Sequence, residues 1–551
     1  MTNSAKANFD PVTLEILWSR LISIADESAA ALLRTSFSTI VRESNDFATV
    51  LMDSNGDSLA ENTAGIPSFV GMLPDALKNF IKRIPIENWN PGDCIITNDP
   101  WIGSGHLPDI TMTAPIFHKG KIVGFSGSIA HLPDIGGAGW SSDGRELYEE
   151  GIRLMPMKFL KEGEPNQDVF DFITANVRVP SQVIGDIYAQ VTAQQVSAAR
   201  LEEFLDDAQL NDLTGLSSAL LERADIAMRK AIEEVSDGTY RSAIDADGYD
   251  EDETHIECAI TVDGSSLHID YDGTSKQIDR GLNSVMKYTY AYSTYPVKCA
   301  LDPDTPRNEG SYRSVTVAAP EGSILNPTFP APVNARQLTG HLLAAAIYEC
   351  LVQAVPNKVI AECGGAPTMR SVYSGVDDGG NRFSQIFFAS GGMGASPVAD
   401  GHSCTAFPTN SGSGSIEAFE SLAPLLVWKK EFRTDSGGAG EFMGGLGQEV
   451  EIEITAEDDV RLSMMSDRQK YAAKGLLGGL EGAKVEIAKS DGTKPHPKAR
   501  GVLAPGDKLT LRFGGGGGYG PPNARDPKAV QNDLRNGYIT AEYAKRHYGI
   551  D

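Results

Sequence analysis

One five-residue phrase, HLPDI, occurs twice in this chain, at 106–110 and again at 131–135. Between the two copies, 110–117 and 121–130 are rich in β-branched and apolar residues, and the short polar segment 118–120 separates them. This pattern predicts a β-hairpin. Facing residues of a hairpin have numbers with a constant sum, here about 239 to 240, so the two phrases should meet at its open end.

The two phrases bring together two imidazoles and two carboxylates, those of His106, Asp109, His131 and Asp134. Imidazole and carboxylate ligands together suit zinc, manganese or iron(II). Three or four protein ligands also leave a coordination position for water or substrate. Alternatively, each HLPD segment is only a strand-end turn, which proline stiffens and aspartate caps. The convergence of two copies in one register favours the metal site.

Composition limits the classes of partner and the compartment. Hydrophobic residues make up 41% and charged residues 22% of the 551 positions, as in ordinary globular proteins. The net charge of -26 argues against nucleic acid or an anionic membrane as partner, because like charges repel. The six cysteines are scattered without a CxxC pair, which indicates reduced thiols and a cytoplasmic protein.

Two further features argue against export and membrane insertion. The first ten residues contain no apolar run of the kind that a signal peptide needs. The longest apolar helical segment, 342–355, includes Glu349 and is too short to span a bilayer. We therefore expect this segment to be a buried helix.

The patterns along the chain predict an α+β, multi-domain protein with mixed sheets, β-hairpins and long helices. The last long helical pattern of the first part ends at about Val235, and from Gly238 the chain changes to alternating strand patterns. We predict a metal-bearing α+β domain at 1–236 and a mixed α/β middle domain at 237–430. A glycine-rich, β-rich domain with short terminal helices should follow at 431–551.

Residues at three other places in the chain are candidates for chemistry. Asp46 directly precedes a predicted strand, where it is either a turn residue or a further ligand. Glu146, Glu149 and Glu150 form an acidic segment, in which a carboxylate, with Glu149 as the chosen candidate, could act as a general base or hold a ligand histidine. Alternatively, the segment is only a solvated helix face. His402 and Cys404 lie two residues apart, but a catalytic Cys/His pair needs contact and an activating environment, and proximity in sequence supplies neither.

The glycine-rich segments do not predict a nucleotide site. A phosphate-binding P-loop needs lysine and Ser/Thr directly after its glycines. In the segment FGGGGGYG at 513–520, a tyrosine, a glycine and two prolines follow instead. We therefore predict that this chain does not bind ATP by itself.

Several long motifs in order resemble the hydantoinase B/oxoprolinase family, from about residue 10 to 549. They are NDPWIGSGHLPDITM (98–112), AHLPDIGG (130–137), YEEGIR (148–153), NPTFPAPVNARQ (326–337), GGMGASPVADG (391–401), RTDSGGAGEFMGGLG (433–447) and GGGGGYGPPNARDP (514–527). This resemblance implies the metal-bearing subunit of an ATP-dependent amidohydrolase for hydantoins, 5-oxoproline or lactams. ATP and magnesium would bind a separate hydantoinase A-like subunit, most simply in a dimer of heterodimers.

The resemblance also implies roles for the candidate residues. His106, Asp109 and His131 would be metal ligands, Asp46 a possible fourth ligand, and Asp134 a residue that supports them. After the partner subunit phosphorylates the cyclic amide, hydrolysis would follow at this site, with Asp134 or Glu149 assisting proton transfer. Two alternatives remain open: a subunit of an ATP-dependent carboxylase for acetone or acetophenone, and a noncatalytic scaffold for the ATPase subunit.

Overall fold

A computed structural model describes residues 9–550 of the chain. Most of the N-terminal stretch that lacks a signal-peptide pattern, 1–8, lies outside the described residues. The described part combines helices with four sheets, which confirms the predicted α+β class. No helix within 9–550 is long and apolar enough to cross a membrane.

The helices and strands are distributed along the whole of the described chain. The helices are α1 (Pro11–Thr35), α2 (Thr39–Arg42), α3 (Pro67–Arg83), α4 (Leu147–Glu150), α5 (Gln167–Asn176), α6 (Pro180–Asp207), α7 (Thr214–Glu233), α8 (Met286–Leu301), α9 (Gln337–Gly340), α10 (Leu343–Leu351), α11 (Ile416–Leu422), α12 (Pro527–Arg535) and α13 (Ala541–Tyr548). The strands are β1 (Phe47–Asp53), β2 (Ser58–Glu61), β3 (Cys94–Thr97), β4 (Asp109–His118), β5 (Lys121–His131), β6 (Met157–Lys161), β7 (Glu164–Pro165), β8 (Gly238–Tyr249), β9 (Asp252–Asp263), β10 (Ser266–Asp270), β11 (Val315–Ala318), β12 (Arg370–Val376), β13 (Arg382–Phe388), β14 (Leu425–Phe432), β15 (Gln448–Ile454), β16 (Val460–Met465), β17 (Glu486–Lys489), β18 (Arg500–Leu503) and β19 (Lys508–Arg512).

The predicted hairpin is the centre of the largest sheet, whose strand order is β2-β1-β5-β4-β3-β6-β7. Its turn is the pair Lys119 and Gly120, both with positive φ (50° and 77°), as the tight hairpin turns that match strand twist require. The register places Asp109 opposite His131, which confirms the predicted pairing. The sheet also pairs β1 antiparallel to β5, so Phe47 faces Ala130 and Asp46 lies at the same end as His131.

Helices cover this sheet and fix its position. Asp10 caps α1, and its carboxylate accepts hydrogen bonds from the N–H groups of Val12 and Thr13. The α1 helix packs against α6, and the buried indole of Trp18 donates a hydrogen bond to the carbonyl of Leu59 in β2. The buried helix predicted at 342–355 is present as α10, which is shorter than predicted.

The three remaining sheets have strand orders β11-β10-β9-β8, β13-β12-β16-β18 and β14-β15-β19-β17. The β13-β12-β16-β18 sheet joins strands from both sides of the predicted boundary at 430/431, and one hydrophobic core includes residues from Ile40 to Tyr519. The division into three domains stays a prediction.

The glycine-rich motifs form a bundle of extended backbone segments, which we call the glycine bundle and define as 391–395, 436–447, 475–483 and 514–518. Neighbouring segments are joined by backbone hydrogen bonds, among them Gly516 N–H to Gly445 O, Gly438 N–H to Gly516 O, Gly518 N–H to Leu480 O and Ala395 N–H to Gly517 O (2.8–2.9 Å). A Cβ on Gly516 would lie 2.0 Å from the carbonyl oxygen of Met393. These glycines therefore let backbones pack directly against each other.

Candidate metal centre

Three of the predicted ligand residues converge at the open end of the β4–β5 hairpin. One donor atom each from His106, Asp109 and His131 lies within 4.8 Å of the other two. All three side chains are buried, with exposed fractions of 1%, 0% and 2%. Asp109 and His131 are brought together by the strand register, while His106 comes from the loop that precedes β4.

The protonation of His106 follows from its partner. Its Nδ1 lies 2.9 Å from the backbone carbonyl of Asn334, which can only accept, so Nδ1 carries the proton. The lone pair of Nε2 then faces Oδ1 of Asp109 at 3.0 Å, and neither atom has a hydrogen-bond donor among the described residues. Both nitrogens of His131 also lack a partner there. Buried acceptors that face each other without a donor fit a bound cation.

The charge states of the three groups also suit metal binding. Burial raises the pKa of Asp109, but the His106 imidazole and the Arg336 guanidinium outweigh it and bring that pKa down to about 2. Burial lowers the pKa of His131 to about 3, and burial with Arg336 also lowers the pKa of His106. Near pH 7 the cluster therefore consists of one carboxylate and two neutral imidazoles, which is a competent ligand set for zinc, manganese or iron(II).

Residues from the 326–337 motif hold these ligands in place. Arg336 donates to Oδ2 of Asp109 at 2.6 Å and so leaves Oδ1 directed at the imidazoles. The carbonyl of Asn334 accepts from His106 and from the indole of Trp140 at 2.8 Å. The Trp140 ring packs against His131 with centroids 4.5 Å apart. Ligand orientation of this kind is typical of metal centres.

Glu150 anchors the same motif from the other side. Its Oε1 accepts hydrogen bonds from the N–H groups of Val333 (2.8 Å) and Asn334 (2.9 Å). Its Oε2 has no partner among the described residues, and burial raises the pKa of Glu150 to about 8. The backbone that orients His106 thus depends on a buried carboxyl group.

This carboxyl group gives a pH-dependent prediction. The folded-state pKa of Glu150 lies above its ordinary value of 4.5, so its contribution to stability is complete below pH 4.5 and is lost as the pH rises through about 8. Glu150→Gln keeps the accepting oxygen and cannot ionise. We expect the melting temperature of the variant, relative to that of the native protein, to increase from pH 5 to pH 9. Calorimetry at several pH values measures this difference. Glu149→Gln, at the exposed neighbouring position, should show no such trend, and equal trends in both variants would contradict the argument.

Two cavities meet at the ligand residues. The smaller, of about 40 Å³, is lined by the three ligand residues and also by Asp46 and Tyr288. The larger, of about 370 Å³, lies within the size range of small-molecule sites. His131 and Trp140 line both, so the larger cavity adjoins the ligand cluster.

The remaining candidates are placed differently. Asp46 lines the smaller cavity, where burial and the neighbouring Asp109 raise its pKa to about 7, but it is outside the 4.8 Å cluster. Asp134 lines the larger cavity, where its carboxylate is paired with Arg178 at 2.6 Å. Glu149 is exposed, and its carboxylate accepts from the N–H of Arg145 at 3.2 Å. The structure thus brings Asp46 and Asp134 to the cavities and leaves Glu149 outside them.

His402 and Cys404 belong to the surroundings of the glycine bundle. The carbonyl of His402 accepts from Met393 N–H, and Cys404 N–H donates to Leu446 O. Burial raises the pKa of the Cys404 thiol to about 11, so near pH 7 it is a thiol and a weak nucleophile.

Sequence reasoning missed several residues around the ligands, namely Trp140, Tyr288, Asn334 and Arg336. Two of these residues could have been found from the sequence. Asn334 and Arg336 lie in the 326–337 motif, and a single arginine there is a natural counter-ion for a buried carboxylate. Glu150 could not be chosen over Glu149 from sequence, because only the packing of α4 buries one of the two.

The fold and the cluster together define a protein of mixed α and β structure with a buried two-histidine, one-carboxylate centre beside a substrate-sized cavity. A family model described as hydantoinase B/oxoprolinase matches residues 10–522. The chain therefore belongs to the hydantoinase B/oxoprolinase family.

Individual relatives match over nearly the whole chain. A protein of Pseudomonas sp. (strain NS671) that is named as a putative D-/L-hydantoinase subunit is 31% identical over 98% of this chain and 95% of its own length. The crystal structure of ATP-dependent caprolactamase from Pseudomonas jessenii is 28% identical, with a TM-score of 0.90 over 99% of this chain and 97% of that one. A nucleotide-free structure of acetone carboxylase has a TM-score of 0.89 at 20% identity, covering 98% of this chain and 79% of that one, which shows a shared fold.

Proposed function

We propose that this chain is the metal-bearing subunit of an ATP-dependent cyclic amidase of the hydantoinase, oxoprolinase or lactamase type. The observation that carries the proposal is the cluster of His106, Asp109 and His131, which has unpartnered ligand atoms and reaches a cavity of about 370 Å³ through His131. The family and the names of the hydantoinase and caprolactamase relatives support the choice of cyclic amides.

The three residues fit a divalent ion of zinc, manganese or iron, which would acidify a water molecule and polarise the amide carbonyl. Asp46, at the edge of the smaller cavity, is a possible fourth ligand. The chain's own contribution is orientation: Arg336 holds Asp109, and Asn334 holds the His106 tautomer that presents a free Nε2. Asp134, held by Arg178 beside His131, could assist proton transfer from the larger cavity. For Glu149 the same role stays a prediction from sequence.

The shape of the site assigns a place to each part of the substrate. The larger cavity has room for a ring of five to seven atoms, while the smaller has room for little more than one or two water molecules. We infer that the ring lies in the larger cavity and that its amide group reaches past His131 and Trp140 to the ligand cluster.

A cyclic amide is a weak electrophile, and ATP would activate it by phosphorylation of the carbonyl oxygen. We assign this step, with ATP and magnesium, to a hydantoinase A-like partner, most simply in a dimer of heterodimers. Two observations support this assignment: the sequence contains no P-loop, and the hydantoinase relative is named as one subunit of its enzyme. A cytoplasmic location belongs to the same proposal and is supported by the six free cysteines. Cell fractionation would test it.

The test is coexpression with the neighbouring A-like subunit, followed by assays of ATP turnover with hydantoin, 5-oxoproline and ε-caprolactam, with and without bicarbonate. We expect a copurifying heteromer that opens at least one ring in an ATP-dependent reaction without bicarbonate. The isolated chain is the control and should be inactive.

Each alternative has its own signature in this experiment. A bicarbonate requirement with acetone or acetophenone as substrate would replace the amidase with a carboxylase. If removal of the metal left the ATP turnover of the complex unchanged, the chain would be a noncatalytic scaffold.

A further inference from the structure

A buried line of hydrogen-bonding side chains borders the smaller cavity beside the metal ligands. It runs from Thr368 through His341 to Tyr288 and Tyr292, and all four residues line that cavity. The exposed fractions of His341, Tyr288 and Tyr292 are 2%, 3% and 1%. None of these residues has a role in the proposed function so far.

The direction of the hydrogen bonds is determined by one backbone group. The N–H of Thr368 points at Nδ1 of His341 at 3.2 Å, and since a backbone N–H can only donate, Nδ1 is the acceptor. The ring proton is therefore on Nε2, which lies 3.1 Å from the hydroxyl oxygen of Tyr288. Burial, with Arg370 and Arg336, keeps the pKa of His341 well below its ordinary value, so the ring stays neutral.

Because His341 donates to Tyr288, the hydroxyl proton of Tyr288 must be directed elsewhere. The neighbouring ring is that of Tyr292, at a centroid distance of 4.7 Å, and its hydroxyl is within hydrogen-bonding reach of Tyr288 and of Ser68. One tyrosine donates to the other in this pair, and the acceptor keeps its own proton. His341 accepts neither proton, because its only bare nitrogen is already used by Thr368. The hydrogen bonds within this line therefore leave at least one tyrosine hydroxyl proton without an acceptor.

The ring of Tyr288 is held rigidly. The guanidinium of Arg336 lies over its face, 4.1 Å from the ring centroid, and the same guanidinium holds Asp109. On another side, Gly340 leaves room for the ring, since a Cβ there would lie 2.4 Å from Cε1 of Tyr288. The position of the hydroxyl is therefore coupled to that of the metal ligands through one arginine.

We propose that Tyr288 is the general acid that protonates the ring nitrogen when the cyclic amide opens. This proposal rests on the amidase function proposed above. As the C–N bond breaks, its electron pair goes to nitrogen together with the Tyr288 hydroxyl proton. The hydroxyl on the former carbonyl carbon loses its proton to the resulting phenolate as its C=O bond forms, which leaves an acyl phosphate. A second water molecule then hydrolyses the acyl phosphate to the carboxylate and inorganic phosphate. His341 acts as a positioning residue, because its Nε2–H donates to the phenolate oxygen while the negative charge is there.

The test uses Tyr288→Phe in the complete, metal-loaded, ATP-dependent complex with ε-caprolactam as substrate. General acid catalysis contributes about 10²- to 10⁴-fold, so we expect kcat to fall by that factor, while KM and metal content stay as in the native complex. The matched control is Tyr271→Phe. Tyr271 is equally buried, its hydroxyl bonds Ser293 of α8 at 2.7 Å, and it lines neither cavity. This control should lower the melting temperature by a similar amount and leave kcat unchanged.

A second arm changes the leaving group. Ring opening of hydantoin can expel a urea-type nitrogen, which needs protonation less than the alkylamine of caprolactam does. We expect Tyr288→Phe to reduce kcat less with hydantoin than with caprolactam. If Tyr288→Phe does not yield a folded complex, 3-fluorotyrosine at 288 replaces it. This residue keeps the ring and the hydroxyl, and its more acidic phenol should change kcat with caprolactam more than kcat with hydantoin.

The possible failures are distinguishable. A native complex that opens no cyclic amide overturns the amidase function, and this proposal falls with it. A native complex that is active, with Tyr288→Phe equally active or reduced no more than Tyr271→Phe, overturns the proposal alone. Equal changes of kcat with the two substrates in the 3-fluorotyrosine complex overturn it as well.

Discussion

His131→Ala, made in the coexpressed complex, is expected to lose its divalent metal and at least about 10³-fold in kcat. The physical reason is that a metal of this kind supplies several kcal/mol of transition-state stabilisation, and removing one of three ligands opens the site. His106→Ala and Asp109→Ala should behave in the same way. In the metal-free state the substitution should not lower the melting temperature. It removes a buried side chain whose ring nitrogens have no hydrogen-bond partner among the described residues. Metal analysis, turnover and melting temperature of each purified variant test these three statements.

The matched control for the ligand variants is His118→Ala, at the other end of the same hairpin. His118 is also buried, and its Nε2 lies 3.6 Å from a carboxylate oxygen of Asp206. It lies nine residue steps along β4 from Asp109, or roughly 30 Å at about 3.3 Å per step. This variant should keep its metal and its activity. If it were depleted as much as His131→Ala, the ligand assignment would be wrong.

Gly516→Ala is expected to lower the free energy of unfolding by about 3 kcal/mol or more, which is the second large effect. The added methyl group would lie 2.0 Å from the carbonyl oxygen of Met393 and 2.4 Å from its carbonyl carbon. Backbone atoms cannot move aside as a flexible side chain can, so the glycine bundle would have to separate. Urea denaturation of the chain in its complex, with the midpoint as the readout, measures this loss.

The control for the glycine bundle is Gly501→Ala in β18, where an added Cβ has no heavy atom within 4 Å. We expect its unfolding free energy to change by less than about 0.5 kcal/mol. If the two substitutions lowered the unfolding free energy equally, the glycines would not be required for close backbone packing.

The hairpin and its end residues could be predicted from sequence because local rules determine them. A two-residue turn at Lys119 and Gly120 sets the register beside the turn. A β-bulge between Ile116 and Phe117 then shifts it by one residue, so that Asp109 faces His131 and not Ala130. The first helix was predictable for the same reason, since Asp10 and Pro11 form a capping signal that acts within one turn.

The supporting residues could not be predicted in this way, because they come from distant parts of the chain. Asn334 lies 228 positions from the histidine that it orients, and Arg336 lies 227 positions from Asp109. No periodicity or turn chemistry links residues so far apart, and only the packing of the 326–337 motif against α4 brings them to the ligands.

The packing of the glycine-rich motifs could not be predicted from sequence for a different reason. The missing lysine distinguishes them from a P-loop, but no sequence pattern indicates that four segments pack by their backbones. Close backbone packing depends on the absence of side chains in all partners at once, as at Gly516 and Gly445. A single glycine run does not reveal its partners.

The most direct test of the central claim is an anomalous X-ray diffraction experiment on crystals of the purified complex, with metal analysis of the same sample. We predict one divalent ion per chain, with an anomalous peak about 2.0 to 2.2 Å from His106 Nε2, one nitrogen of His131 and Asp109 Oδ1. A fully loaded, active complex whose peak lies elsewhere, or whose cluster of His106, Asp109 and His131 has no peak, would contradict the metal centre proposed for this chain.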